Sequence, residues 1–145
     1  MRTAHGREIL ARVSDLFDPS VSLEISVGVE GFDSGEITLA VSGDGSTRVV
    51  QRVAGEVHER DGRLDRETRD EFVHLLTAND LEALEPLGEP SPPGDVPVHV
   101  RVRRGDEVLH DTMLWHSERY RDGRLDAILR RWESLVSDLS GGQLP

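Results

Sequence analysis

Asp61-Gly-Arg-Leu-Asp65 recurs as Asp122-Gly-Arg-Leu-Asp126 in a chain of 145 residues. Each copy follows a stretch patterned as a β-hairpin and leads into a stretch patterned as an amphipathic helix. At the same offset, Asp44-Gly45 falls on Gly105-Asp106, so the turns superpose as well. Self-similarity at a fixed spacing marks a structural unit used twice. The repeat therefore predicts two hairpin-helix units whose helices lie side by side on one face of a five-stranded, mainly antiparallel sheet. In each copy glycine turns the chain, Leu64 or Leu125 anchors it, and an aspartate favours the start of the helix.

Upstream of the first copy, Val21, Leu23, Ile25, Val27 and Val29 alternate with smaller or polar residues, the period of a strand with one buried face. Gly31 to Gly35 reads as a turn, and Ile37, Leu39 and Val41 resume the alternation. The returning strand, Thr47 to about Val57, admits two registers. A two-residue Asp-Gly turn directs Val50 and Arg52 inward, whereas a three-residue loop directs Val49, Gln51 and Val53 inward. Before all of this, Ile9, Leu10, Val13, Leu16 and Phe17 recur at helical spacing over residues 6–17, and Asp18-Pro19 ends that helix. Its apolar stripe predicts docking on the core. After the first copy, Asp65 caps a helix to about Ala78 with Thr68, Phe72, Leu75 and Leu76 inward, and Leu81, Leu84 and Leu87 continue in a looser turn.

Residues 85–97 hold five of the seven prolines and read as an extended crossover rather than a central strand. The second hairpin turns at Gly105-Asp106. An unbroken register sets Val102, Val100, Val98 and Val96 opposite Leu109, Asp111, Met113 and Trp115, all facing inward. Asp111 is the discordant member, because a buried carboxylate needs a partner; either an arginine satisfies it or a bulge turns it outward. From Leu125 to Leu139 the apolar residues follow an i, i+3, i+4, i+7 pattern, and Gly141-Gly142 stops the helix. The order α, three strands, α, two strands, α specifies a single α+β domain over 1–145. A first unit spans about 21–84 and a second about 98–140.

Composition excludes more than it assigns. With 28 acidic against 17 basic residues the formal charge is −11, which disfavours nucleic acid and anionic membranes. No stretch approaches the roughly 18 apolar residues of a membrane span. The N-terminus lacks the apolar run of a secretory signal, which makes the cytoplasm the expected location. The absence of cysteine removes disulfides, thiolate catalysis and Cys-based metal sites. All 17 basic residues are arginine, which removes Schiff-base chemistry and a P-loop lysine and fits a GC-rich genome.

The remaining chemistry concentrates on histidines. In the unbroken register His99, His110 and His116 share the outward face with Asp95 and Arg101. His99 and His110 are diagonal neighbours at roughly 7 Å, a span that just reaches across a metal. Arg101 opposite His110 opposes a cation, and His58-Glu59 lacks the second histidine of a zinc-protease helix. Asp61-Gly-Arg-Leu-Asp65 fails as a calcium loop, with Arg66 at the sixth position and Phe72 at the twelfth. Gly43-Asp-Gly-Ser-Thr47 lies in a hairpin and carries Asp44, which repels phosphate. Paired carboxylates that meet only in space leave a glycosidase-type site open at this level. Phe32, an aromatic placed in a turn, either tucks under the N-terminal helix or projects as an anchor for a partner.

Val29-Glu-Gly-Phe32, the helix ending Leu75-Leu-Thr-Ala-Asn-Asp-Leu81, and Val98-His-Val-Arg-Val102 with its Gly105 turn resemble the emfourin-type small protein inhibitors of bacterial metalloproteases. The resemblance implies an α+β inhibitor fold and a protein partner. The N-terminal helix and the Glu56–Arg63 connection depart from that pattern, and no inhibitory residue transfers.

Together these readings predict a cofactor-free domain that binds another protein as an inhibitor, immunity or adaptor module, with Phe32, His99, Arg101 and His110 as contact residues. The alternatives are a metal- or carboxylate-dependent enzyme built on His99, His110, His116 and Asp95, and a homo-oligomeric structural protein, with a homodimer as its simplest form.

Overall fold

The computed structural model describes residues 18–29, 31, 35–85 and 95–141. The helix expected over 6–17, Phe32, Leu87 and most of the Pro-rich crossover lie outside the described residues. The elements run β1 Val21–Gly28, β2 Glu36–Ser42, β3 Ser46–Val53, β4 Glu56–Arg63, α1 Arg66–Ala78, β5 Pro97–Arg104, β6 Glu107–Trp115 and α2 Gly123–Leu139. The strands form one sheet in the order β4-β3-β2-β1-β5-β6, and every neighbouring pair is antiparallel. The fold is α+β.

β1 joins the halves because its alternation is the cleanest in the chain. Leu23, Ile25 and Val27 pair with Val41, Leu39 and Ile37 on one side and with Val102, Val100 and Val98 on the other. All but Val27 are buried, which gives the inner face a continuous apolar floor. α2 crosses that floor from edge to edge. Leu125 meets Leu114 of β6, the Trp132 indole N–H donates to the Ile25 carbonyl at 2.9 Å, and Leu139 reaches Gly62 of β4. α1 lies beside α2 and buries Phe72, Val73 and Leu76, and Leu81 and Leu84 close the cluster in the turn beyond.

The β2–β3 pairing sets Val41 opposite Thr47, Leu39 opposite Val49 and Ile37 opposite Gln51, the register of a three-residue loop. The sheet has six strands rather than five. What reads as one long returning strand folds back at Ala54-Gly55, whose φ angles of 52° and 80° are both left-handed, the conformation a tight hairpin turn demands. Alanine at the first of those positions hides the turn from sequence reading.

That extra strand also separates the two pentapeptide copies. Asp61, Gly62 and Arg63 end β4, and only Asp65 caps a helix, accepting from Thr68 N at 2.7 Å. In the second copy Asp122 is the cap, accepting from Arg124 N at 3.0 Å, and Gly123 is the first helical residue. The glycines differ accordingly. A methyl group at Gly62 would press on Thr47 Oγ1 and Leu139 Cδ2 at 3.1 and 3.3 Å, whereas at Gly123 it meets nothing within 4 Å. Gly123→Ala should raise stability by about 0.5 kcal/mol through the unfolded chain, and Gly62→Ala should lower it. Urea unfolding of the two variants reads the opposite signs.

Candidate functional site: the outer face of the β5–β6 hairpin

The decisive local feature is a bulge. β5 and β6 pair Arg104 with Glu107 and Arg103 with Val108, then slip by one residue, so that Val102 faces His110, Arg101 faces Asp111, Val100 faces Thr112, His99 faces Met113 and Val98 faces Leu114. The slip reverses the faces predicted for an unbroken register. Leu114 is buried, while Asp111, Met113 and Trp115 turn to the outer face, away from the helices. Burying Leu114 while freeing Asp111 of desolvation is the physical reason for the extra residue.

On that face His99, Arg101 and Asp111 form one cluster. His99 Nε2 lies 2.5 Å from Asp111 Oδ1, Arg101 Nε donates to Asp111 Oδ2 at 3.3 Å, and Arg101 Nη2 lies 3.4 Å from His99 Nε2. The hydrogen bond from His99 holds the Asp111 carboxyl below the usual aspartate range, and Arg101 adds to the effect. Across the rest of the outer face runs a ladder of ion pairs, the half-buried Arg103–Glu24 at 3.5 Å and the more exposed Arg52–Glu36 at 3.3 Å and Arg48–Asp61 at 2.8 Å. Exposed pairs contribute at most about 1 kcal/mol each, so this ladder sets the character of the surface more than the stability of the fold.

His110 does not belong to this face. The bulge places it inward opposite Val102, half-buried, and burial pushes its imidazole below the ordinary histidine range. His99 and His110 therefore sit on opposite sides of the sheet and cannot share a ligand. His116 and Asp95 lie at the corner where β6 passes to α2. There Ser117 Oγ donates to Asp95 Oδ2 at 2.6 Å, and Arg119 Nη1 lies 3.1 Å from His116 Nε2. The four residues of the metal alternative are thus dispersed, and among the described residues no group of three or more metal-binding side chains converges.

Arg119 is the centre of that corner. Its side chain is only 9% exposed and donates to Asp126 Oδ1 at 2.7 Å and to Glu133 Oε2 at 2.9 Å. This network ties the β6 exit to the first turn and the middle of α2. Its signal in the sequence, Arg119 seven residues before Asp126 and fourteen before Glu133, crosses a loop and has no periodic signature.

A groove of about 520 Å³ opens at the other edge between β3, β4 and the end of α2, lined by Val49, Gln51, Val57, His58, Glu59, Arg60 and Ser140. His58 and Arg60 are on the inner face and Glu59 on the outer, so His58 and Glu59 do not compose an acid–base pair. The Arg60 guanidinium lies against Gly141, where a cation complements the carbonyl end of α2. Phe32 is outside the described residues, in the connection from β1 to β2. No helix among the described residues is long and apolar enough to cross a membrane.

No protein-family model matches the chain. No curated protein sequence matches it.

Proposed function

We propose that this chain is a small protein-binding domain that contacts its partner through the outer face of the β5–β6 hairpin and the adjoining end of the sheet. One observation carries the reading. Of the five large apolar side chains exposed among the described residues, Val29, Met113 and Tyr120 lie toward the end of β1, β5 and β6 where β1 passes to β2; Val57 is on β4 at the far edge of the sheet and Val108 at the other end of the hairpin. Trp115, partly exposed, is on the same end of the outer face. Apolar and aromatic groups beside a preorganised Arg–Asp–His cluster have the composition of a contact surface, with anchors at the centre and ionic groups at the rim.

The net charge of −11 favours protein over nucleic acid or anionic membrane as the partner. The resemblance to small metalloprotease inhibitors supports a role of inhibitor type, within the broader class of inhibitor, immunity or adaptor modules.

Site-specific photocrosslinking tests the reading. A benzophenone amino acid in place of His99 should capture a discrete partner from the native extract, one whose added mass differs from that of a second copy. The same group in place of exposed Ser134 on α2 should capture none. Equal capture from both positions, or none from position 99, would overturn it.

A further inference from the structure

We infer that the chain beyond α2, Gly142-Gln-Leu-Pro145, folds back into the groove between β3, β4 and the end of α2 and closes it as a strap, with Leu144 toward the Val57 end. The groove is at the opposite edge of the sheet from the β5–β6 face, so the strap and the protein-binding surface hold or fail separately. The groove opens where the helix stops. Ser140 lines it, and the Arg60 guanidinium on its wall lies against Gly141. Gly141 has a left-handed φ of 70°, and its N–H donates to the Asp138 carbonyl at 3.2 Å, the glycine stop that turns a chain out of a helix. The strap therefore begins at the rim of the site it fills, and almost no loop has to be closed to seat it.

Length and chemistry agree with this occupant. From Arg60 back to Val57 the wall of the groove is roughly 10 Å long at the rise of a strand. The four residues beyond Gly141 reach roughly 13 Å when extended, and Pro145 favours the extended form at Leu144. Those residues carry no charged side chain, so filling the groove opposes no charge to Arg60 or Glu59. Leu144 is their one large apolar group, and Val57, 56% exposed, is the apolar surface it can cover. The residues before Asp18 fit less well. They enter β1 beside the β5–β6 turn, where the Gly105 N–H donates to the Ser20 carbonyl at 3.1 Å, two strands away from β3. They also bring Arg2, Arg7 and Arg12 to a groove that already holds Arg60. β4 is an edge strand, and covering an edge with a segment of the same chain keeps a sheet from adding neighbours.

Paired cysteines in the cysteine-free chain test the strap. Leu144→Cys is combined in turn with Val57→Cys, with His58→Cys and with Asp61→Cys. Positions 57 and 58 line the groove, whereas Asp61 does not, although it follows Arg60 directly and is within reach of a segment that swings freely. All three β4 positions are exposed, so the variants should keep the wild-type circular dichroism. Under mild oxidation in dilute solution, at least one groove position should form its intramolecular disulfide with position 144 about tenfold or more faster than position 61 does. Equal rates at the three positions, a faster bridge at 61, or no bridge from either groove position would overturn the inference.

Discussion

Replacing Trp132 with alanine should cost about 3–5 kcal/mol, the range for removing a large aromatic from a packed core. The indole is 4% exposed and sits where α2 crosses the central strand. Its loss removes apolar burial over Ile25 and also leaves the Ile25 carbonyl without its side-chain donor. Small domains hold only about 5–15 kcal/mol in all, so the urea midpoint should fall by a large fraction and the chain should be partly unfolded at physiological temperature. Trp132→Phe separates the two contributions: it keeps most of the packing and removes the hydrogen bond, and should cost about 1–2 kcal/mol. A midpoint shift of similar size in the two variants would show that the hydrogen bond, not the packing, dominates.

The second large effect is at Arg119. Arg119→Met should cost about 2 kcal/mol, less than for a fully buried pair because Asp126 and Glu133 stay 27% and 44% exposed and recover some hydration. The same variant should change the response to acid. Hydrogen bonds from Arg119, then Arg130, hold the Asp126 carboxyl below the ordinary aspartate range. A depressed carboxyl contributes stability that is fully present above its unfolded value and is lost as pH falls through the folded one. The wild-type chain should therefore lose stability in the acid range below the ordinary aspartate value, and Arg119→Met should lose less there. Urea midpoints measured from neutral pH down through that range supply both numbers. A parallel pH profile for the two proteins would place the ionic contribution elsewhere.

α1, α2 and the central strand are legible because their periodicity is long and unbroken. Leu125 to Leu139 and Val21 to Val27 each repeat their pattern often enough that one assignment stands. The Asp65 cap is legible for a chemical reason, since an aspartate ahead of an apolar helical pattern has few other uses; for the last helix the sequence leaves Asp122 and Ser117 open as starts, and Asp122 is the cap. What escaped was decided by single residues. Ala54 adopts a left-handed conformation that favours glycine or asparagine, so a strand was undercounted and the first pentapeptide copy was read as a hinge instead of a strand end. Identical letters took different conformations because Gly62 is held between Thr47 and Leu139 while Gly123 is free to begin a helix.

The candidate site depended on a shift of one position. The unbroken register maximised apolar residues on the inner face, with Leu109, Met113 and Trp115 inside and Asp111 as the exception. The exception was the informative residue. Turning Asp111 outward to His99 and Arg101 moves Met113 and Trp115 out with it and brings Leu114 in, so one bulge converts a suspected buried carboxylate into the centre of an exposed cluster. It also removes His110 from that face. His99 and Arg101 were placed correctly because β5, Val98-His-Val-Arg-Val102, alternates without interruption.

The direction in which β6 faces decides whether the outer-face cluster exists, and the cysteine-free chain makes it directly measurable. Single cysteines introduced in place of Met113 and Leu114 report on adjacent positions that the two registers assign to opposite sides. With the bulge, the thiol at position 113, where methionine is 41% exposed, should react with a maleimide reagent at nearly the rate of a free thiol, and the thiol at position 114, where leucine is 1% exposed, should react only through opening of the fold. Fast labelling at 114 with protection at 113 would mean an unbroken hairpin, with Asp111 and Trp115 inside and no cluster on the outer face.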